Sequence, residues 1–132
     1  MSTATASMTT KQVANRLVEL TREGKFDDAI KELYAPGVTS HEPMGAPGPV
    51  LVEGHEAVLN KTQQFGEGME EVHSNVISDP IVADNYFAVS MSMDITMKGM
   101  GRIHMEEIAV YQVKDGKITR DQFFYTPMPG KN

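Results

Sequence analysis

Apolar residues recur at helical spacing in the first half of this chain and at strand spacing in the second. Val13, Leu17 and Leu20 lie three or four residues apart, and Thr9 or Thr10 can act as a helix cap. A helix is therefore predicted over 11–23, with Gly24 stopping it. Asp27 and Asp28 open a second helix with Ala29, Ile30, Leu33 and Tyr34 on its apolar face and Pro36-Gly37 at its end. A short strand, 38–42, leads into a loop, 43–49, rich in Pro and Gly. A third helix over 55–65 carries Val58, Thr62 and Phe65 on one face.

After Gly68 the period changes to two. The stretch 72–82 reads as a strand. Between Tyr86 and Met97, the set Phe87, Val89, Met91, Met93, Ile95 and Met97 alternates with a more polar one. A strand over 102–113 comes after the turn 98–101. Asp115-Gly116 is a strong hairpin signal, and 117–125 completes the meander. Helices succeeded by a run of strands predict an α+β domain with the helices on one face of an antiparallel sheet. The domain is expected over 11–126, between a disordered tail over 1–10 and a C-terminal tail over 127–132.

The chain has 132 residues, enough for one core without metal or disulfide support, and it has no cysteine. Disulfides, thiolate nucleophiles and cysteine-ligated zinc are therefore excluded. The formal net charge is −6 with no Lys/Arg cluster, which argues against nucleic acid and anionic membranes as partners. No apolar run reaches the ~20 residues of a spanning helix. The start lacks the charged and apolar regions of a secretory signal, so cytoplasm is the expected location. There is no nucleophile elbow, phosphate loop or dinucleotide fingerprint. Five of the ten methionines fall between Met91 and Met105; they are either core filler or an adaptable ligand wall.

Several short motifs occur in a definite order. They are 23–26 (EGKF) with 32–34 (ELY), 53–57 (EGHEA), 72–74 (VHS), 105–108 (MEEI), 113–118 (VKDGKI) and 123–125 (FFY). In this order they resemble the SnoaL-like branch of the nuclear transport factor 2-like superfamily. The resemblance spans about Lys11 to Tyr125. It implies a curved antiparallel sheet wrapped round three N-terminal helices, forming a cone-shaped barrel with an internal cavity. It further implies an apolar small molecule as ligand and a homodimer formed through the sheet face. Family activities include ring closure, isomerisation and dehydration, none needing a cofactor.

Glu42-Pro43-Met44-Gly45 is similar to the stretch that carries the proton-shuttling acid of ketosteroid isomerases, so the resemblance makes Glu42 a candidate base. Tyr34 matches a tyrosine that supports the oxyanion site there. The two matching oxyanion donors, however, fall at Leu17 and near Ala109, and a further supporting tyrosine falls at Thr62. An inward Ala109 implies inward Ile103, Met105, Glu107 and Tyr111 by strand parity. Glu107 is then either a desolvated acid paired with Glu42 or a structural partner of Arg102, Arg120 or Lys117. The expected catalytic pair is Glu42 and Glu107. The expected pocket is lined by Leu17, Tyr34, Met44, His73, Met91, Met93, Met105, Tyr111 and Tyr125. Asp94 lies on the opposite face of its strand, where cross-strand pairing with Arg102 or Arg120 is the simpler role. The four histidines do not have the spacing of a compact metal site. An acid–base enzyme and a non-catalytic binding module both remain open.

Overall fold

The computed structural model describes residues 7–127. The order is α1 (Thr10–Arg22), α2 (Phe26–Leu33), β1 (Tyr34–His41), β2 (Leu51–Glu53) and α3 (His55–Glu67). Then come β3 (Met69–Ile77), β4 (Ile81–Ala83), β5 (Tyr86–Met97), β6 (Gly101–Lys114) and β7 (Lys117–Phe124). The α+β class is as expected. No described helix is long and apolar enough to cross a membrane.

Thr9 starts α1 through a capping box. Its Oγ1 accepts from the Gln12 N–H at 3.1 Å, and its own N–H donates to Gln12 Oε1 at 2.8 Å. Of the tail expected over 1–10, residues 1–6 lie outside the described residues, while Thr9 and Thr10 belong to this helix start. The last five residues, 128–132, also lie outside. Helix α2 ends three residues earlier than Pro36-Gly37 suggested, because Ala35 precedes a proline and is driven to extended backbone. Pro36 and Gly37 instead fall within β1, where its register against β7 shifts between Tyr34 and Thr39. The single strand expected over 72–82 is broken into β3 and β4. Pro80 cannot donate to a ladder, and β4 pairs separately with β5.

The sheet order is β2-β1-β7-β6-β5-β3, with β4 also on β5. Its neighbours are antiparallel except β1 and β7, which run parallel, so the sheet is mixed and does not close into a barrel. One face meets the helices. Val13, Leu17, Leu20, Ile30, Leu33 and Val58 pack there against Val38, Phe87, Val89, Tyr111 and Ile118. The Phe87 and Tyr111 rings stack with centroids 4.6 Å apart.

Coverage of that inner face is uneven. Phe87, Val89 and Met91 on β5 are buried, as are Ala109, Tyr111 and Val113 on β6. Nearer the β5–β6 turn, Ile95 is still fully buried, but Met93, Ile103, Met105 and Glu107 are only half-buried although they keep the same inward alternation. The helices thus leave one end of the inner face partly open, and that end carries the candidate chemistry.

Candidate functional site

Alternation along β1 sends Val38, Ser40 and Glu42 to the inner side. Ser40 is fully buried, and its Cα partner in the parallel ladder is Asp121 of β7, also buried. Asp121 in turn faces Tyr111 on β6. The Tyr34 hydroxyl donates to Asp121 Oδ2 at 2.5 Å, whereas Asp121 Oδ1 meets no hydrogen-bond partner among the described residues. Burial raises the Asp121 pKa; Ser40, Tyr34 and Lys61 oppose that rise, and Glu42 adds to it.

Lys61 of α3 joins this row to Glu42. Its Nζ donates to Ser40 Oγ at 2.9 Å and to Glu42 Oε2 at 3.0 Å. The Tyr125 hydroxyl donates to the other oxygen, Glu42 Oε1, at 2.7 Å. Glu42 is thus gripped on both oxygens, with its side chain 16% exposed and that of Lys61 29% exposed. Lys61 Nζ also lies 5.6 Å from the centre of the Phe123 ring, within cation–π range. Tyr125 is raised above the usual tyrosine pKa by partial burial first, then by the Glu42 hydrogen bond.

Glu107 reaches the same place from β6. It makes no ion pair with Arg102, Arg120 or Lys117; among the described residues it has no charged or hydrogen-bonded partner of its own. Burial, then the neighbouring Glu42 and Asp121 carboxylates, push its pKa up to about 7, with Lys61 pulling the other way. Glu42 and Glu107 thus both lie on the inner side, and the Glu42 charge acts on the Glu107 carboxyl. A carboxyl that titrates near neutrality can both give and take a proton at physiological pH.

The other expected residues divide into distinct groups. Met91 is buried beside Glu107, its Cα partner across β5–β6, while Met93 and Met105 pair with each other and are half-buried. Leu17, Tyr34 and Tyr111 are buried in the packed core. Met44 lies in the loop after β1 and is 84% exposed. His73 is half-buried on β3 with Nε2 2.7 Å from Thr96 Oγ1, on a strand remote in the sheet order from β1 and β7. Asp94 takes a two-pronged contact from Arg102, both prongs 2.9 Å, on the exposed face. The described residues hold no group of three or more His, Asp or Glu able to bind a metal ion. Depressions of about 350 Å³ and 310 Å³ lie elsewhere, beside Arg22 and Asp79 and on the outer sheet face at Tyr86 and Gln112.

Three participants are not singled out by the sequence. Lys61 sits three residues after Val58, on the very stripe that defines α3, and its positive charge conceals it among solvated lysines. Ser40 shares parity with Glu42. Asp121 shares parity with Phe123 and Tyr125, but the register shift between Gln112 and Val113 breaks the alternation back to Ile118.

A model of the SnoaL-like domain matches residues 8–125, and this chain belongs to that family. A candidate SnoaL-like polyketide cyclase from Mesorhizobium loti is 35% identical, with a TM-score of 0.82 over 89% of this chain and 100% of that one. An NTF2-like protein from Burkholderia thailandensis has 17% identity and a TM-score of 0.76, covering 89% of this chain and 90% of its own. A candidate isomerase from Bacillus subtilis has 17% identity and a TM-score of 0.71, with 91% of each chain covered. The last two share the fold. No curated protein matches the chain.

Proposed function

We propose that this protein binds an apolar, carbonyl-bearing small molecule at the half-covered end of the inner sheet face. There it moves a proton on that molecule with Glu42 and Glu107, without a cofactor. Glu42 takes the proton next to the carbonyl, and Glu107, about half neutral near pH 7, returns one to another position. Glu42 is then protonated and Glu107 ionised. Because the two are neighbours, a proton passing from one to the other restores the starting state. Met91, Met93 and Met105 supply an apolar wall that adapts to ligand shape. The observation carrying this reading is Glu107, a desolvated carboxyl beside Glu42 with no cation of its own.

The candidate cyclase and isomerase among the structural relatives agree with proton transfer next to a carbonyl. A homodimer fits the outer sheet face, where Val76, Ile108 and Phe124 are 61%, 52% and 49% exposed.

The test is proton exchange by NMR in deuterated water, using a panel of cyclic ketones and diketones. Wild type is to exchange α-protons faster than buffer, Glu42→Gln is to lose the effect, and Glu107→Gln is to lose deuterium delivery to the second position. Exchange unchanged in Glu42→Gln removes Glu42 as the base, and unchanged delivery in Glu107→Gln removes Glu107 from the chemistry. A second reading, binding without turnover, is favoured by the grip of Lys61 and Tyr125 on Glu42, which occupies both of its oxygens. Saturable ligand binding with no exchange would select it.

A further inference from the structure

The oxyanion donors that the sequence lacks at Leu17 and Ala109 leave the proposed chemistry with a base and an acid but no group for the carbonyl oxygen. A proton leaves the carbon next to a carbonyl only if the developing negative oxygen is received, and one such donor is worth roughly a hundredfold or more in rate. We propose that Lys61 is that group: its ammonium receives the carbonyl oxygen of the ligand and stabilises the oxyanion. This rests on the proton-transfer reading above and adds an electrophile to it.

An ammonium has three N–H donors, and Lys61 spends one on Ser40 Oγ and one on Glu42 Oε2, which leaves a third. Those two acceptors hold Nζ in place, so the third donor is fixed in advance rather than recruited at the moment of reaction. Ser40 is fully buried on β1 between two neighbouring strands and cannot drift, which makes it the positioning residue for Lys61. Lys61 also acts electrostatically on both Glu107 and Asp121, and among the described residues it is the cation that lowers their pKa values. Its charge therefore reaches the region between the carboxyls, where a ligand's oxygen would sit. The Phe123 ring beneath the ammonium shields it from water on that side, strengthening its pull on an anionic oxygen.

The ligand class narrows accordingly. It is a neutral compound whose oxygen becomes negative during reaction, such as a ketone that can enolise or an acidic phenol. A ligand carrying a permanent carboxylate would meet Glu42, Glu107 and Asp121 with only Lys61 to offset them.

4-Nitrophenol is a suitable probe, because its neutral and ionised forms absorb differently. Binding to wild type at fixed pH is to raise the ionised fraction of the bound probe above that of the free probe. Lys61→Met is to weaken binding of the phenolate roughly 10- to 100-fold while leaving the neutral phenol nearly unaffected. Lys61→Arg keeps the charge but displaces it, and is to ionise the probe less than wild type. Glu107→Gln is to retain ionisation, which separates the electrophile from the proton shuttle. Equal ionisation of the bound probe in wild type and Lys61→Met overturns the role of Lys61 and leaves that of Glu107 standing. Should Lys61→Met not fold by circular dichroism, equal ionisation by Lys61→Arg overturns it in the same way. A wild-type protein that binds neither form overturns both the site and this inference.

Discussion

Tyr34 and Asp121, 87 residues apart in sequence, meet in a fully buried hydrogen bond of 2.5 Å that ties the start of β1 to β7. The parallel pairing of these strands depends on the same neighbourhood, where Tyr34 faces Ile118 and Ser40 faces Asp121. Removing the hydroxyl leaves a buried carboxyl with one donor fewer. Tyr34→Phe is expected to lower stability by about 1–3 kcal/mol in urea unfolding. The loss is to grow as pH rises, since the ionised carboxylate is the form that needs the donor. A pH-independent loss would mean that Asp121 stays neutral throughout.

Glu107 gives the opposite sign. Its folded-state pKa, about 7, lies above the ordinary value of 4.5, so the native state binds more protons than the unfolded state between these limits. Stability therefore falls as pH rises through that window, and the full penalty is present above it. At 1.4 kcal/mol per unit the penalty is at most about 3.5 kcal/mol, less whatever water access relieves. Glu107→Gln is expected to stabilise the protein by up to that amount at about pH 8.5 and by little near pH 4.5. Denaturation midpoints at the two pH values check it. A variant less stable than wild type at the higher pH contradicts it.

Gly116 closes the β6–β7 hairpin with φ +78, after Asp115 at φ +52. A Cβ at Gly116 would lie 2.9 Å from the backbone nitrogen of Met8, so one of the two segments would have to shift. Gly116→Ala is expected to cost about 1–2 kcal/mol for the left-handed backbone alone, plus the displacement of Met8. Thermal unfolding measures the cost. Faster proteolysis near the N-terminus would report the displacement.

Ile108 and Phe124 are Cα partners on the outer face of β6 and β7, each about half exposed. If this face joins two copies, Ile108→Glu with Phe124→Glu is expected to halve the mass seen in sedimentation while the circular dichroism stays unchanged. An unchanged mass would place any association elsewhere.

Much of this fold is legible in the chain. The alternation from Phe87 to Met97 predicts β5 and its inward face, and Asp115-Gly116 predicts the last hairpin. The features that escape are local. The three-residue β2 is too short to show a period. Pro80 divides a run that looks continuous, and the parallel pairing of β1 with β7 is a tertiary choice that neither segment encodes alone. At the site, parity speaks for Glu107 on its own strand. It misses Asp121 because a register shift intervenes, and Lys61 because charge on a helix stripe resembles solvation. Met44 adjoins Glu42 in sequence, which suggests the pocket wall, but the loop turns away at Gly45, φ +90.

The proposed chemistry depends on Glu107 being held near neutrality by burial and by Glu42. Carbon-detected NMR titration of the Glu107 carboxyl in wild type and in Glu42→Gln measures this directly. The expected result is a midpoint of about 7 in wild type and a clear downward shift in the variant, where a neighbouring negative charge is gone. A midpoint in the ordinary range near 4.5, or one that ignores the loss of Glu42, would contradict it.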